Sequence, residues 1–363
     1  MQVCQHASIL ARPRPSRSQA TYGRGVGFLF RAVVTIAALV AAIVLTWPQA
    51  FGLQTAPVIG QLVAVRALVA IGAVIVVVVL GILRFVPGLR KLTGSLAFVL
   101  VLLAVANGGI LAWRGFTGTA ITASATSVTV LEWNTQGENV SASTIAELAL
   151  AEHADVIALP ETTQALGEAV ALAMKAAGSP MWSNTVTFDA DYKSLSTTIL
   201  LSPALGDYTV TSYSGSGPPL NTNTVPTVIA KPIDGSGPTI IAVHAVAPRD
   251  GQMGNWRSDL SWLADQCTGS NVIMAGDFNS TVDNMAGLGT NGGSLGNCAD
   301  SALAASGAAI GTWPTNLPSL LGSPIDHVLA TSNYAVTGFS APNEYDSAGS
   351  DHRPLITQLH LKG

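Results

Sequence analysis

The sequence predicts a membrane-embedded helical module followed by a water-facing α/β domain. Three observations carry this. The 363-residue chain has a mean hydropathy of +0.43 and only 10% charged residues, against about 25% in a typical soluble chain. Its charge is split: residues 1–131 carry ten basic side chains and no acidic one, whereas the chain from Glu132 onward carries the other seven Lys+Arg and all 21 Asp+Glu, a net of -14. Beyond residue 127, short β-branched runs alternate with stretches of helical spacing.

In the first part, three apolar stretches are long enough to span a bilayer: Phe28 to Trp47, about Leu62 to Leu83 with its Val76–Val79 block, and about Leu92 to Trp113. Each approaches the roughly 20 residues that a hydrocarbon core of about 30 Å requires. Buried core helices are the alternative, but three such runs in succession without a carboxylate argue against it. Trp47 and Trp113 suit the interface, and Arg31, Arg84 and Arg114 can snorkel to it. Arg66 lies inside the second stretch, near its start, and snorkelling is the preferred reading there too. The alternative is a role facing the neighbouring helices.

Basic flanks set the orientation. Arg12, Arg14, Arg17 and Arg24 precede the first stretch, and Arg84, Arg90 and Lys91 lie between the second and third. The connection from Pro48 to Gln61 has no charge. The N-terminus is therefore expected in the cytoplasm and the C-terminal domain outside, on a multi-pass protein of the cell membrane. Residues 1–27 form a basic cytoplasmic tail, 28–114 three transmembrane helices, 115–127 an uncharged linker and 128–363 the outer domain. Ala123-Ser124-Ala125 could pass for a signal-peptidase site, but with three spans upstream it reads as linker. Cys4 falls in the tail and would stay reduced. Cys267 and Cys298 fall outside, where an even pair permits a disulfide; two buried free thiols are the alternative. No Cys/His spacing resembles a zinc site.

In the outer domain, Val128–Trp133 alternates as a strand and Ser143–His153 has helical spacing. Asp155–Leu159 is a short buried strand, and Gln164–Ala177 an Ala-rich helix ending at Gly178. Further strands are expected at Thr197–Leu201, Thr227–Ala230, Thr239–Val243, Asn271–Met274, Ile325–Ala330 and Leu355–His360, with a helix over Trp256–Cys267. The Gly/Pro/Ser/Asn/Thr-rich runs Ser214–Pro226 and Asn284–Gly296 read as loops.

Polar residues gather at the ends of these strands: Asn134, Glu161, His244, Asp277 with Asn279, Asp326 with His327, and Asp351 with His352. Singly, each is an ordinary turn or loop residue. Together they form an inventory for attack of water on phosphorus. Carboxylates supply hard oxygen ligands for Mg²⁺ or Mn²⁺. Amides orient phosphate oxygens without adding charge. Histidines carry protons or neutralise a phosphoryl oxygen. The acidic domain makes nucleic acid a poor partner, since no basic footprint is present to release counterions.

In order and spacing, Trp133-Asn134, Leu159-Pro160-Glu161, His244 with Pro248, Gly276-Asp277-Phe278-Asn279, Ile325-Asp326-His327 and Ser350-Asp351-His352-Arg353-Pro354 resemble the endonuclease/exonuclease/phosphatase superfamily. The resemblance covers about residues 126–361 and implies a DNase I-like fold, a two-sheet β-sandwich flanked by helices, here preceded by three transmembrane helices. It implies that Glu161 is the principal metal ligand, with Asn134 near the metal and Asp351 a further metal-site carboxylate. It implies that His244 contacts the scissile phosphate, and that Asp277 and Asn279 orient the nucleophile and a phosphate oxygen. His352 would be the general base or a phosphate contact, oriented by Asp326; whether Asp277 or His352 takes the proton stays open. His327 reads as structural. Pro160 departs from the Gln that the family often carries before the metal-binding Glu. A basic, aromatic-interleaved surface is missing, which argues against the DNA-repair branch.

Three spans with this motif set resemble a bacterial branch that includes teicoplanin-resistance-type membrane phosphatases. That resemblance implies a substrate bearing an undecaprenyl-linked phosphate or pyrophosphate. The partners expected are thus a lipid bilayer and a phosphorylated, lipid-linked substrate; the oligomeric state is not legible. Two alternatives are an extracytoplasmic nuclease or sphingomyelinase-like phosphodiesterase, and a non-catalytic phosphate-binding sensor or scaffold. Among remaining residues, Trp313 is placed either at the site mouth or in the core. Trp256 and Arg257 open a helix packed on the sheet. Arg249 is read as an exposed loop residue, with contact to a second phosphate as the alternative. Asp283 and Asp300 are expected as turn and capping residues.

Overall fold

The computed structural model describes residues 17–122 (side chains from 27), 127–211 and 221–362. The expected tail residues Cys4, Arg12 and Arg14 and the Ala123-Ser124-Ala125 stretch lie outside the described residues, as does most of the expected loop at Ser214–Pro226.

The N-terminal part consists of α1 (Arg17–Thr46), the short α2 (Ile59–Ala64), α3 (Arg66–Leu83) and α4 (Arg90–Arg114). Among the described residues, three segments are long and apolar enough to cross a membrane: Gly27–Thr46, Arg66–Leu83 and Arg90–Arg114, with hydropathies of 2.6, 2.8 and 2.3. Their shared core of Ala42, Ala73, Val99 and Leu103 is built mostly from small and medium side chains, which lets helices approach closely without a polar driving force. Phe28, Ile36, Val78, Phe98 and Val105 point outward and are exposed.

The second apolar stretch differs from expectation. It does not run from Leu62 as one helix, because the backbone breaks at Val65 (φ -115°, ψ 47°), leaving α2 separate. The cause is docking onto the C-terminal domain. Asn284 Nδ2 donates to the carbonyls of Gln54 (2.9 Å) and Gly60 (3.1 Å), and Gln61 Nε2 donates to the Pro248 carbonyl (2.7 Å).

Arg66, Arg114 and Asp283 also correct the sequence reading. The two arginines do not snorkel, and Asp283 is no mere turn residue. Both guanidinium groups clasp the one carboxylate: Arg66 Nε at 2.7 Å and Nη2 at 2.8 Å, Arg114 Nη2 at 2.7 Å and Nη1 at 2.8 Å. Arg66 Nη1 further donates to Asn107 Oδ1 at 2.7 Å. All four side chains are buried. A charge out of water requires a well-placed counter-charge, and each module supplies what the other lacks. Although burial opposes it, the paired arginines hold the Asp283 carboxyl down at about 2.

The C-terminal domain contains two six-stranded sheets. One comprises β1 (Ser127–Glu132), β2 (Val156–Pro160), β3 (Trp182–Thr187), β4 (Ser196–Leu201), β11 (Tyr334–Ser340) and β12 (Leu355–Leu361), in the order β11-β12-β1-β2-β4-β3. The other comprises β5 (Tyr208–Val210), β6 (Val228–Pro232), β7 (Thr239–His244), β8 (Val272–Asp277), β9 (Cys298–Asp300) and β10 (Asp326–Thr331), in the order β5-β6-β7-β8-β10-β9. Side chains alternate across each strand, and the pattern sorts them into layers. Val130, Val156 and Ile199 meet Ile240, Ile273 and Val328 between the sheets. Leu131, Ile157 and Leu200 face outward under α5 (Ala142–Ala151) and α6 (Gln164–Ala176). Ile241, Met274 and Leu329 face outward under Trp256, Leu260 and Leu263 of α7 (Met253–Gln266). Helix α5 begins at Ser141, whose Oγ accepts from the Thr144 N–H at 3.1 Å, a cap typical of Ser. The short helices α8 (Val282–Met285) and α9 (Ser301–Ala304) complete the domain.

The expected linker after α4 is partly docked: Thr119 pairs with Phe339 beside β11, its N–H 3.0 Å from the Phe339 carbonyl. Cys267 and Cys298 form a disulfide, with Cα atoms 5.9 Å apart, joining the end of α7 to β9.

Candidate active site

The register of the sheets brings the polar strand ends to one edge of the sandwich. His244 stands opposite Asp277 in the parallel pair β7–β8, and Asp277 opposite Asp326 in the antiparallel pair β8–β10. Gly276 precedes Asp277 with φ +153°, and a Cβ there would lie 2.0 Å from the Val243 carbonyl oxygen, so β7 and β8 can approach only over glycine. Glu161 and Asn279 both adopt positive φ, 58° and 46°, a strained backbone for side-chain-bearing residues that recurs at functional sites.

The eight residues given site roles in the sequence analysis converge; the ninth strand-end residue, His327, does not join them. Asn134 Nδ2 donates to Asp277 Oδ2 at 3.0 Å and reaches Glu161 Oε1 at 3.4 Å. Asn279 fixes Asp277 twice more, through its N–H to Oδ1 at 2.7 Å and Nδ2 to Oδ2 at 3.1 Å. His352 Nδ1 lies 2.9 Å from Asp326 Oδ2, while its Nε2 lies 3.9 Å from Asp277 Oδ2 and 3.8 Å from Asp351 Oδ1. His244 Nε2 is 4.0 Å from Glu161 Oε1. Trp313, half exposed, donates from Nε1 to Asp351 Oδ2 at 2.9 Å, which places it at the site mouth rather than in the core. The loop carrying Asp351 and His352 is anchored by Ser350, whose Oγ donates to the Asn134 carbonyl at 2.6 Å, and by buried Arg353, whose Nη2 donates to Asp346 Oδ2 at 2.7 Å.

These contacts assign the charges. Burial opposes protonation of His352, but Asp326, Asp277 and Asp351 outweigh it and raise the imidazole to about 10. It is an imidazolium at neutral pH, its tautomer question removed by double protonation. Burial, then Asp326, pushes Asp277 up to about 7, against His352 and the donors Asn279 and Asn134. Burial and the nearby His352 cation bring His244 down to about 3, so it is neutral, and its buried Nδ1 has no protein partner. Burial raises Glu161, with Asp351 adding to the rise and Asn134 and His352 opposing it.

Sequence reasoning missed Glu132. It is fully buried beneath the site, both oxygens without a partner, and burial together with Asp326 and Asp277 pushes it well above the usual carboxylate range. The signal was present: Val128, Val130 and Glu132 share one face of an alternating strand, and the third is a carboxylate. Gln136 was missed too; its Oε1 accepts from the Asp351 N–H at 3.0 Å. His327 is structural as expected, held between Asp300 Oδ2 and the Ser280 carbonyl, each at 2.7 Å. Asp300 caps α9 through Oδ1 as expected and holds His327 with its other oxygen.

Asp277, Asp326 and His352 bring a ligand atom each within 4.8 Å of one another; the protonated His352 ring has no lone pair to give, so a cation there would be held by carboxylate oxygens. The wider donor set adds the oxygens of Glu161, Asp351 and Asn134. Hard oxygen donors with converging negative charge fit a hard divalent cation.

A two-sheet sandwich with such an edge defines a phosphoesterase or nuclease type of fold. The profile of the Endonuclease/Exonuclease/phosphatase family matches residues 131–352, more than half of the chain. The chain belongs to this family. Among solved structures, the fold is similar to that of D. rerio TDP2 complexed with single strand DNA product (TM-score 0.50, 16% identity, covering 65% of this chain and 99% of that one). It also matches an endonuclease/exonuclease/phosphatase from Beutenbergia cavernae DSM 12333 (TM-score 0.48, 17% identity, 66% of this chain and 72% of that one). A third match is a family protein from Bacteroides thetaiotaomicron (TM-score 0.47, 16% identity, 66% and 99%). No curated protein matches the chain.

Proposed function

We propose that the protein is a membrane-anchored, Mg²⁺- or Mn²⁺-dependent phosphohydrolase that cleaves a phosphoester or pyrophosphate of a lipid-linked substrate on the extracytoplasmic face. The observation that carries this reading is the convergence of Glu161, Asn134, Asp277, His244, Asp326, His352 and Asp351 at one sheet edge, joined to a module of three apolar helices. The sidedness is supported by the basic flanks at the N-terminus and between α3 and α4. The disulfide agrees, because such bonds persist in oxidising compartments. A net charge of -14 from Glu132 onward disfavours a polyanionic duplex as substrate.

Glu161, Asn134 and Asp351 would hold the cation. When bound, it supplies neutralisation of charge on phosphoryl oxygens. The chain's own groups account for the rest. Asp277, poised near neutrality and held by three hydrogen bonds, takes the proton of the attacking water as the water oxygen bonds to phosphorus and the P–O bond to the lipid-linked leaving group breaks, the leaving oxygen departing with the bond's electron pair. His352 cannot do so, since it already carries its proton; it offers Nε2–H to a phosphoryl oxygen, and Asp326 fixes its orientation. Neutral His244 donates a further hydrogen bond there.

The test uses purified full-length protein in detergent, assayed against polyprenyl pyrophosphate, sphingomyelin and DNA under a metal titration. Metal-dependent phosphate release from the polyprenyl substrate, lost in Glu161→Ala, is the expected result. Equal turnover in excess chelator, or exclusive turnover of DNA, would overturn the reading.

A further inference from the structure

We infer that helix α2 and Val65 form the subsite for the tail of the lipid-linked substrate, so that the membrane module itself completes the catalytic cavity. This rests on the phosphohydrolase reading above and locates where the apolar part of the substrate binds.

The cavity at the catalytic edge has a volume of about 600 Å³. A cavity of that size takes a drug-sized ligand, far more than a phosphate group. Its polar floor includes Glu161, His244, Asp277, Asn279 and His352. Its apolar lining comes from both modules: Gly60, Ala64 and Val65 from the helical part, and Val225, Val246 and Ile325 from the sandwich. None of the charged catalytic groups is needed to build that lining, and water would gain little against it.

The wall is held firmly. Asn284 and Gln61 pin α2 through the carbonyl contacts described above, and a Cβ on Gly60 would stand 3.2 Å from the Gln54 carbonyl oxygen and 3.5 Å from the Trp256 ring. Directly after α2, Arg66 enters the clasp with Asp283 and Arg114. The segment that walls the cavity thus leads directly into the residue that joins the modules.

Its level also fits a lipid. The start of α3 and the end of α4 meet the sandwich through Arg66, Arg114 and Asp283, and Gln49 and Gln54, just after α1, reach Asp283 and the Ala286 carbonyl, so the segment 47–65 lies where the bilayer surface would be. This segment carries no charge. Trp47, Phe51 and Val58 are 55–65% exposed, and Trp113, one residue before the end of α4, is 78% exposed. Exposed aromatic residues at helix ends are typical of the membrane interface. A tail leaving the cavity past α2 passes directly into the apolar layer, whereas a soluble substrate has no use for that wall.

The test measures kcat/KM of the full-length protein in lipid nanodiscs for alkyl pyrophosphates of one to fifteen carbons. Wild type is compared with Ala64→Phe, which fills the wall, and with the milder Ala64→Val. Partitioning into the disc is common to all three proteins, so the change in long-to-short preference reports the wall alone. Each methylene that the cavity withdraws from water adds about fourfold. The inference expects the long-to-short ratio to fall at least tenfold in Ala64→Phe and less in Ala64→Val, both melting close to wild type. A ratio unchanged in both variants, or no chain-length preference in wild type, overturns the subsite and leaves the phosphohydrolase reading standing. If wild type hydrolyses no member, that reading falls. Equilibrium binding of the same series then decides the subsite, which is overturned if Ala64→Phe binds the long members as tightly as wild type does.

Discussion

At the scale of single residues, the site is governed by one buried imidazolium among carboxylates. Asp326 keeps His352 protonated, so Asp326→Asn should lower kcat/KM by about 10²–10⁴. The sign of the pH effect follows: the active form is the cation, so wild-type activity persists until pH approaches about 10, and the variant loses activity at lower pH. A pH–kcat/KM profile checks this; an unmoved alkaline limb would refute the role. Glu132 gives a second expectation. Its folded pKa is raised, so the folded protein holds that proton more tightly than the unfolded chain. The resulting stability is present in acid and is lost as pH rises above the unfolded value. Glu132→Gln should therefore melt higher than wild type at pH 8 in chelator and equally near pH 4. Most site residues were legible because each lies in a short local motif at a strand end. For Glu132 only the carboxylate on an apolar strand face was legible; its place beneath the site was not, because its acid partners, Asp277 and Asp326, come from the other sheet.

At the scale of elements, strands and helices with clear periodicity appear within a few residues of where the sequence places them: β1, β2, β4, β7, β8, β10 and β12, and helices α5, α6 and α7. The strands that escaped are short, polar or irregular. Trp182–Thr187 is a polar edge strand, Tyr208–Val210 and Cys298–Asp300 have three residues each, and Tyr334–Ser340 shifts register between Val336 and Gly338. The break at Val65 had no local signal, since neither Gly nor Pro marks it; it comes from contacts more than 180 residues away. The Arg66–Asp283–Arg114 clasp is equally non-local, and it is the main polar lock between modules. Removing one partner strands buried charge, at a cost of about 3–5 kcal/mol. Asp283→Asn should lower the melting temperature of detergent-solubilised protein and loosen α2 to hydrogen exchange. The depressed Asp283 pKa contributes about 2 kcal/mol above pH 4, lost as pH falls from about 4 to about 2. Wild type and Asp283→Asn should therefore converge in stability across that window. A constant gap would show that the carboxylate charge is not what joins them.

At the scale of the whole molecule, the charge split was the most informative feature of the sequence. Its first carboxylate, Glu132, is the last residue of β1. What it could not reveal is that the two parts share a cavity, because the apolar wall looks like any other membrane-proximal segment until it is seen against the sandwich. The helical module lines the same cavity as Glu161, His244, Asp277 and His352. The central claim is that donors spread over some two hundred positions serve one cation. The most direct measurement is anomalous diffraction from crystals of the full-length protein soaked in Mn²⁺. A peak is expected in the cavity within about 2.0–2.3 Å of a Glu161 carboxylate oxygen, absent in Glu161→Gln. A peak elsewhere, or one that survives that substitution unchanged, would contradict that claim.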